Sequence, residues 1–169
     1  MNSDGKYTAL LSHSSGLPTA RVARKVFTCR DVPKVLELRL RIDRCRGGES
    51  TNMCQLTTLE LYKENVSGNA WELVQPDGIR ASGENPPSEC ASNLLNSSSS
   101  LKWLHIADSN SKAAQKYWIT VKLRAPTRLV AFALTTGNDF PDRDPHVFTL
   151  EGRMDGDFGL YTSGIAEAT

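Results

Sequence analysis

One short stretch constrains the fold more than any other. Leu36, Leu38, Leu40 and Ile42 alternate with Glu37, Arg39, Arg41 and Asp43. Successive side chains of an extended strand point to opposite faces, so this period of two predicts a half-buried strand with leucines inward and charges on the wet face. Gly47-Gly48 ends it. Other segments carry weaker versions of the same signal. Cys54 and Leu56 share one phase while Leu59 and Leu61 share the other, a one-residue slip that predicts a bulge near Thr57-Thr58. Residues 71–74 and 147–151 read as short strands, and in 118–123 Ile119, Val121 and Leu123 share a face. Residues 129–134 are apolar on both faces, as in a central strand.

No segment shows a sustained helical period. Ser88 can cap one short helical turn running to Leu95, and 108–116 allow one turn at most. Residues 75–90 and 137–145 are rich in turn formers and read as long loops. Short strands joined by long loops predict an all-β, mostly antiparallel sandwich. Residues 1–25 lack periodicity and read as a flexible leader. Residues 26–169 then form a single domain, which suits a chain of 169 residues.

Charge narrows the partners. The formal net charge is +1, which is unlike a globally basic nucleic-acid binder, and no nucleic-acid partner is expected. The neutrality hides an asymmetry: residues 21–46 hold nine basic side chains against three acids. These are read as solvated strand faces, or as a site for phosphate or another anion that would include Arg39 and Arg41. No apolar run approaches the roughly 18 residues of a membrane helix, so no membrane span is expected. Cys29, Cys45, Cys54 and Cys90 show neither CxxC nor zinc-ligand spacing. Cys45 and Cys54 flank one Gly-rich connection and can face each other across a hairpin, but free thiols are the favoured reading. The lack of a secretory signal and the sparse cysteines favour an intracellular setting. Asn65-Val66-Ser67 and Asn96-Ser97-Ser98 are glycosylation sequons, relevant only to a secreted chain.

Several motifs occur together in order. They are Asn85-Pro86-Pro87, Ala91-Ser92-Asn93-Leu94-Leu95, Lys102-Trp103-Leu104 and Trp118-Ile119 with Leu123. Then Asn138-Asp139-Phe140-Pro141-Asp142-Arg143-Asp144-Pro145 precedes Phe148-Thr149-Leu150-Glu151-Gly152. This series resembles the discoidin, or coagulation-factor C-type, family. The long 138–152 signature is its most specific part. The segment Leu38–Ile42 with Cys54–Tyr62 resembles a strand pair that closes the domain in most members, yet here it comes first. A circularly permuted order accounts for this, as does a slice through a tandem array. The match covers about residues 34–158; at the C-terminus either Tyr161 ends a final short strand or the domain is incomplete without a neighbour.

The resemblance implies a galactose-binding-like jelly-roll sandwich and a binding module rather than an enzyme. It also implies a calcium site, but by motif its ligands fall on Asn96, Leu101 and Thr58. These retain no carboxylate, and a hard cation needs charged oxygen ligands, so a degenerate site without metal is expected, and no cofactor. Catalytic motifs are missing from the sequence, and His13, His105 and His146 read as structural or exposed. The expected ligand site is the 138–145 loop. Asn138, Asp139, Arg143 and Asp144 supply polar groups, and Phe140 and Trp103 the apolar surface that a sugar requires. Alternatively Arg143 forms an internal ion pair with its neighbouring aspartates, and Trp103 packs in the core. The expected function is recognition of carbohydrate or glycoconjugate. The alternative is an intracellular protein-interaction or scaffold domain with no sugar binding.

Overall fold

The computed structural model describes residues 7–14, 17–97, 100–108 and 117–154. Eleven strands are found among them: β1 (Thr8–Ser14), β2 (Arg24–Thr28), β3 (Val35–Cys45), β4 (Met53–Leu56), β5 (Thr58–Glu64), β6 (Trp71–Leu73), β7 (Gly78–Ala81), β8 (Trp103–Ile106), β9 (Tyr117–Thr127), β10 (Ala131–Thr135) and β11 (Pro145–Arg153). A five-stranded sheet has the order β1-β11-β3-β9-β7, a four-stranded sheet the order β2-β10-β5-β6, and β4 pairs with β8 in a separate ribbon. Every pairing between these strands is antiparallel. The chain is thus an all-β sandwich.

One core joins the layers. Phe27 of β2 stacks on Phe132 of β10 at 4.9 Å and meets Phe148 of β11 edge-on at 5.5 Å, crossing from the smaller sheet to the larger. Leu38, Leu40 and Ile42 are buried as their alternation predicts. At the start of β3 the pattern breaks: Val35 is buried and Leu36 only half-buried, because the register against β9 shifts between Val35 and Glu37. In β9, Ile119, Val121 and Leu123 face the core, and β10 is buried along its whole length between β2 and β5.

Four sequence expectations change. Residues 8–14, placed in the flexible leader, form an edge strand on β11, and β2 begins at Arg24 within it; each is paired along one side, β1 to β11 and β2 to β10. The phase slip near Thr57 is not a bulge in one strand. It is the point where the chain leaves β4, paired to β8, and enters β5, paired to β10. Changing sheets reverses which phase faces the core. The long loop of 75–90 contains β7, an edge strand on β9. Residues 91–95 form a 3-10 helix, Ala91–Leu95, capped by Cys90 rather than Ser88 and with no side-chain cap. Asn93 Nδ2 instead donates to the Ser88 and Lys102 carbonyls. The turn expected in 108–116 is described only at Asp108, and Tyr161 lies outside the described residues.

Candidate functional site

The starts of β2, β5 and β11 and the ends of β3 and β10 meet at one end of the sandwich, since Arg24, Thr135 and Thr58 are in register and so are Cys45 and Pro145. The segments 17–23, 46–57 and 136–144 therefore converge there. The 138–145 loop contains a 3-10 turn, Pro141–Arg143. Few of its backbone groups enter a sheet, so other partners must hold it.

Those partners are buried charged and amide side chains. Asp144 has a fully buried carboxylate. Its Oδ2 takes an ion pair from Arg21 Nη2 at 2.6 Å, and its Oδ1 accepts from the Gly137 N–H (3.0 Å) and Gln55 Nε2 (3.3 Å). Arg21 Nη1 also donates to the carbonyls of Asp139 (2.6 Å) and Gly137 (3.1 Å). Gln55, fully buried, donates to the Asp139 and Phe140 carbonyls at 3.1 and 3.0 Å. Its Oε1 accepts from Lys102 Nζ at 3.1 Å, and the same ammonium lies 2.7 Å from both Asp139 carboxylate oxygens and 3.4 Å from Glu89. Gly137 leaves the room this arrangement needs, because a Cβ there would lie 2.3 Å from Gln55 Nε2. From below, the Arg46 and Gly47 N–H groups donate to the Asp144 and Asp142 carbonyls at 2.9 and 2.8 Å.

The network leaves one face of the loop open. Phe140 is 60% exposed, and the Arg143 guanidinium lies 4.1 Å from its ring centroid. Arg143 also pairs with Asp139 at 3.8 Å, and Asn138 is exposed. The structure thus brings Asn138, Asp139, Phe140 and Arg143 together at the tip.

Two expected ligand residues are corrected. Trp103 is fully buried and its Nε1 donates to the Gly83 carbonyl at 2.8 Å, so no ring face is open to a ligand. Asp144 is buried as the anchor of Arg21 and faces no solvent. The internal pairs also differ from those expected: Arg143 pairs with Asp139, and Asp144 with an arginine from the supposed leader. Sequence reasoning missed Arg21, Gln55 and Lys102. A lysine beside the Trp103 strand start and a glutamine within an apolar strand were the available signals.

The calcium-type positions are dispersed. Thr58 and Asn96 line one cleft of about 260 Å³ with Leu61, Leu73, Leu94 and Leu95, while Leu101 is outside it. Thr58 Oγ1 is committed to Thr135 Oγ1 at 2.6 Å, and the adjacent Glu60 carboxylate is held by Arg24 Nε and Nη2. Neutral oxygens alone do not fit a calcium ion. Among the described residues no group of three His, Cys, Asp or Glu side chains could hold a metal. His105 shares a 2.8 Å hydrogen bond with Ser82 Oγ through Nδ1, and burial lowers its pKa below 6.5. Ser82 Oγ also accepts the Trp118 N–H.

The basic stretch is offset partly by its own acids and partly by acids brought from elsewhere in the chain. On the open face of the five-stranded sheet, Arg39 and Arg41 both pair with the buried Glu151, and Arg41 also with Asp43. Glu37 accepts from Tyr7 and Arg153. Among the described residues no helix is long and apolar enough to cross a membrane. Neither family models, curated proteins nor solved structures provide a match to the chain.

Proposed function

We propose that this chain is a non-enzymatic binding module of the galactose-binding-like jelly-roll type that recognises a carbohydrate or glycoconjugate through the tip formed by Asn138, Asp139, Phe140 and Arg143. The observation that carries this is an exposed Phe140 ring flanked by Arg143, on a loop fixed from behind by Arg21, Asp144, Gln55 and Lys102. Sugar C–H faces pack on aromatic rings, and hydroxyls need donors and acceptors beside them. A loop already held in place loses little entropy on binding. The discoidin-type signature falls on the same residues.

A glycan array, followed by calorimetry on the best ligand, tests this. Phe140→Ala is expected to weaken binding at least tenfold with little change in melting temperature, because the side chain is mostly exposed. Arg143→Ala separates the roles: loss of affinity marks a ligand contact, and loss of stability alone marks a structural one.

A second reading, a protein-interaction or scaffold domain, is favoured by one observation. Trp71, Leu73 and Leu95 are exposed at 51%, 46% and 43%. Trp71 and Leu73 sit on the edge strand β6, and Leu73 and Leu95 bound the apolar cleft. A silent glycan array together with a stoichiometric protein partner lost on Trp71→Ser would replace the sugar reading.

A further inference from the structure

We propose that the open face of the five-stranded sheet is a second binding surface, distinct from the 138–145 tip, for an acidic polysaccharide whose sulfate or carboxylate groups meet an outer layer of arginine and lysine. Strand register sets the charges in rows. Over β7, β9, β3 and β11 one row runs Arg80, Thr120, Arg39, Glu151, and the next runs Gly78, Lys122, Glu37, Arg153. Residues two apart along a strand share a face, so Arg41 of β3 and Arg124 of β9 extend the pattern.

Within these rows the carboxylates lie deep and the cations lie outside. The Glu151 side chain is 6% exposed and pairs with Arg39 and Arg41. Glu37 is 11% exposed, and Tyr7, Arg80 and Arg153 all reach it. By contrast Arg80 and Lys122 are each 66% exposed, and Arg124 is exposed too. At the rim, Asp43 pairs with Arg41 at 2.9 Å and Asp77 lies 3.9 Å from Lys122. Arg80 is a second arginine on Glu37, at 3.5 Å, so its charge is only partly offset. Among the described residues Arg124 forms no ion pair. A ligand approaching this face therefore meets positive charge first.

The shape selects a chain of linked anions. Neighbouring strands are about 4.8 Å apart, which sets Arg80 about 10 Å from Arg39, and Lys122 about 10 Å from Arg153. A sheet face has no concavity in which one small anion is buried, so affinity must come from several contacts to tethered groups. Guanidinium groups bond such oxyanions through two parallel N–H donors. The aromatic rings back the arginines: Arg39 and Arg153 lie 4.1 and 5.2 Å from the Tyr7 centroid, and Arg80 lies 5.9 Å from that of Trp118. Rings occupied in this way are poor platforms for the base stacking that single-stranded nucleic acid uses. Among the described residues none of the exposed large apolar side chains belongs to these five strands, so nothing here inserts into a bilayer. A polysaccharide needs neither.

Calorimetry of the full chain with heparin, polygalacturonate and neutral dextran tests this. Heparin is expected to bind and dextran not to bind, and heparin affinity is expected to fall at least tenfold from about 50 to about 200 mM salt. Binding of polygalacturonate as well identifies carboxylate as sufficient, and binding of heparin alone identifies sulfate. Arg80→Gln with Lys122→Gln should weaken heparin at least tenfold while melting changes little, since both side chains are exposed. Arg124→Gln, which breaks no ion pair, should weaken it by a smaller factor. Lys63→Gln, on the other sheet beside Glu72, and Phe140→Ala should leave heparin affinity unchanged, so failure of the tip as a sugar site leaves this surface standing. The proposal is overturned if neither acidic polysaccharide binds, or if the Arg80, Lys122 and Arg124 variants bind heparin as the parent does. Equally tight binding of single-stranded DNA or of anionic phospholipid vesicles overturns it too.

Discussion

Asp144 and Glu151 are both buried carboxylates beside arginine, and they lie close together in the chain. Asp144 stands at the loop end, where its oxygens hold Arg21, Gln55 and the Gly137 N–H. Glu151 stands within β11, where the ladders to β1 and β3 already fix the backbone and two arginines share the carboxylate. The first carboxylate sets the course of a loop, and the second joins side chains on strands whose paths are set without it. A buried charge matters most where the backbone around it has no other hold.

Removing Asp144 gives the largest expected effect. Asp144→Ala takes from the Arg21 guanidinium its buried carboxylate and from Gln55 and the Gly137 N–H an acceptor, and should destabilise the protein by about 3 kcal/mol in urea unfolding, typical of a broken buried pair. A loss below about 1 kcal/mol would erase the distinction between the two regions. Gly137→Ala comes next, at about 2 kcal/mol, because the new methyl drives into a buried Gln55 that holds two carbonyls. On the sheet face, Arg41→Ala should cost less than about 1 kcal/mol, since Arg41 is partly exposed and Arg39 remains on Glu151. A cost near that of Asp144→Ala would show that the strand ladders do not make the second network redundant.

The smallest effect is a slope with pH. Burial pushes the Glu37 carboxyl up, but hydrogen bonds from Tyr7 and Arg153, with the Arg153 and Arg80 charges, outweigh it and leave the pKa below the ordinary 4.5. The unfolded chain then binds more protons than the native state between the two values. Stability is therefore fully present above 4.5 and falls as pH drops through the lower, folded value. Glu37→Gln should flatten that part of the acid-unfolding curve; an unchanged slope would remove Glu37 from the account.

How much was legible in the sequence depended on how local the cause was. The Leu38–Ile42 alternation gave β3, and the doubly apolar 129–134 segment gave a strand with neighbours on both sides, because a side chain's burial follows directly from pleat and phase. The slip at Thr57 was visible, but its meaning required knowing that β4 and β5 belong to different sheets. β1 and β7 were missed because edge strands need little apolar periodicity. At the candidate site the loop and its aromatic tip were readable as a motif. Its supports were not: Arg21 reaches Asp144 across 123 residues, and Lys102 reaches Asp139 across 37. No local pattern encodes such partners. Trp103 carried an aromatic's two possible roles, and only its place under the Gly83 carbonyl decided between them.

That 123-residue span also bears on the order in which the molecule is built. As the chain leaves the ribosome, β3 can begin to pair with β9 while β11 and Asp144 are still to be made. Arg21 meanwhile has no carboxylate to fold against, and β1 has no strand to join. Contacts of such separation carry the largest closure cost and form late in folding. The 138–145 tip is therefore expected to acquire its shape only as the two ends of the sandwich close, making it a marker of completed folding.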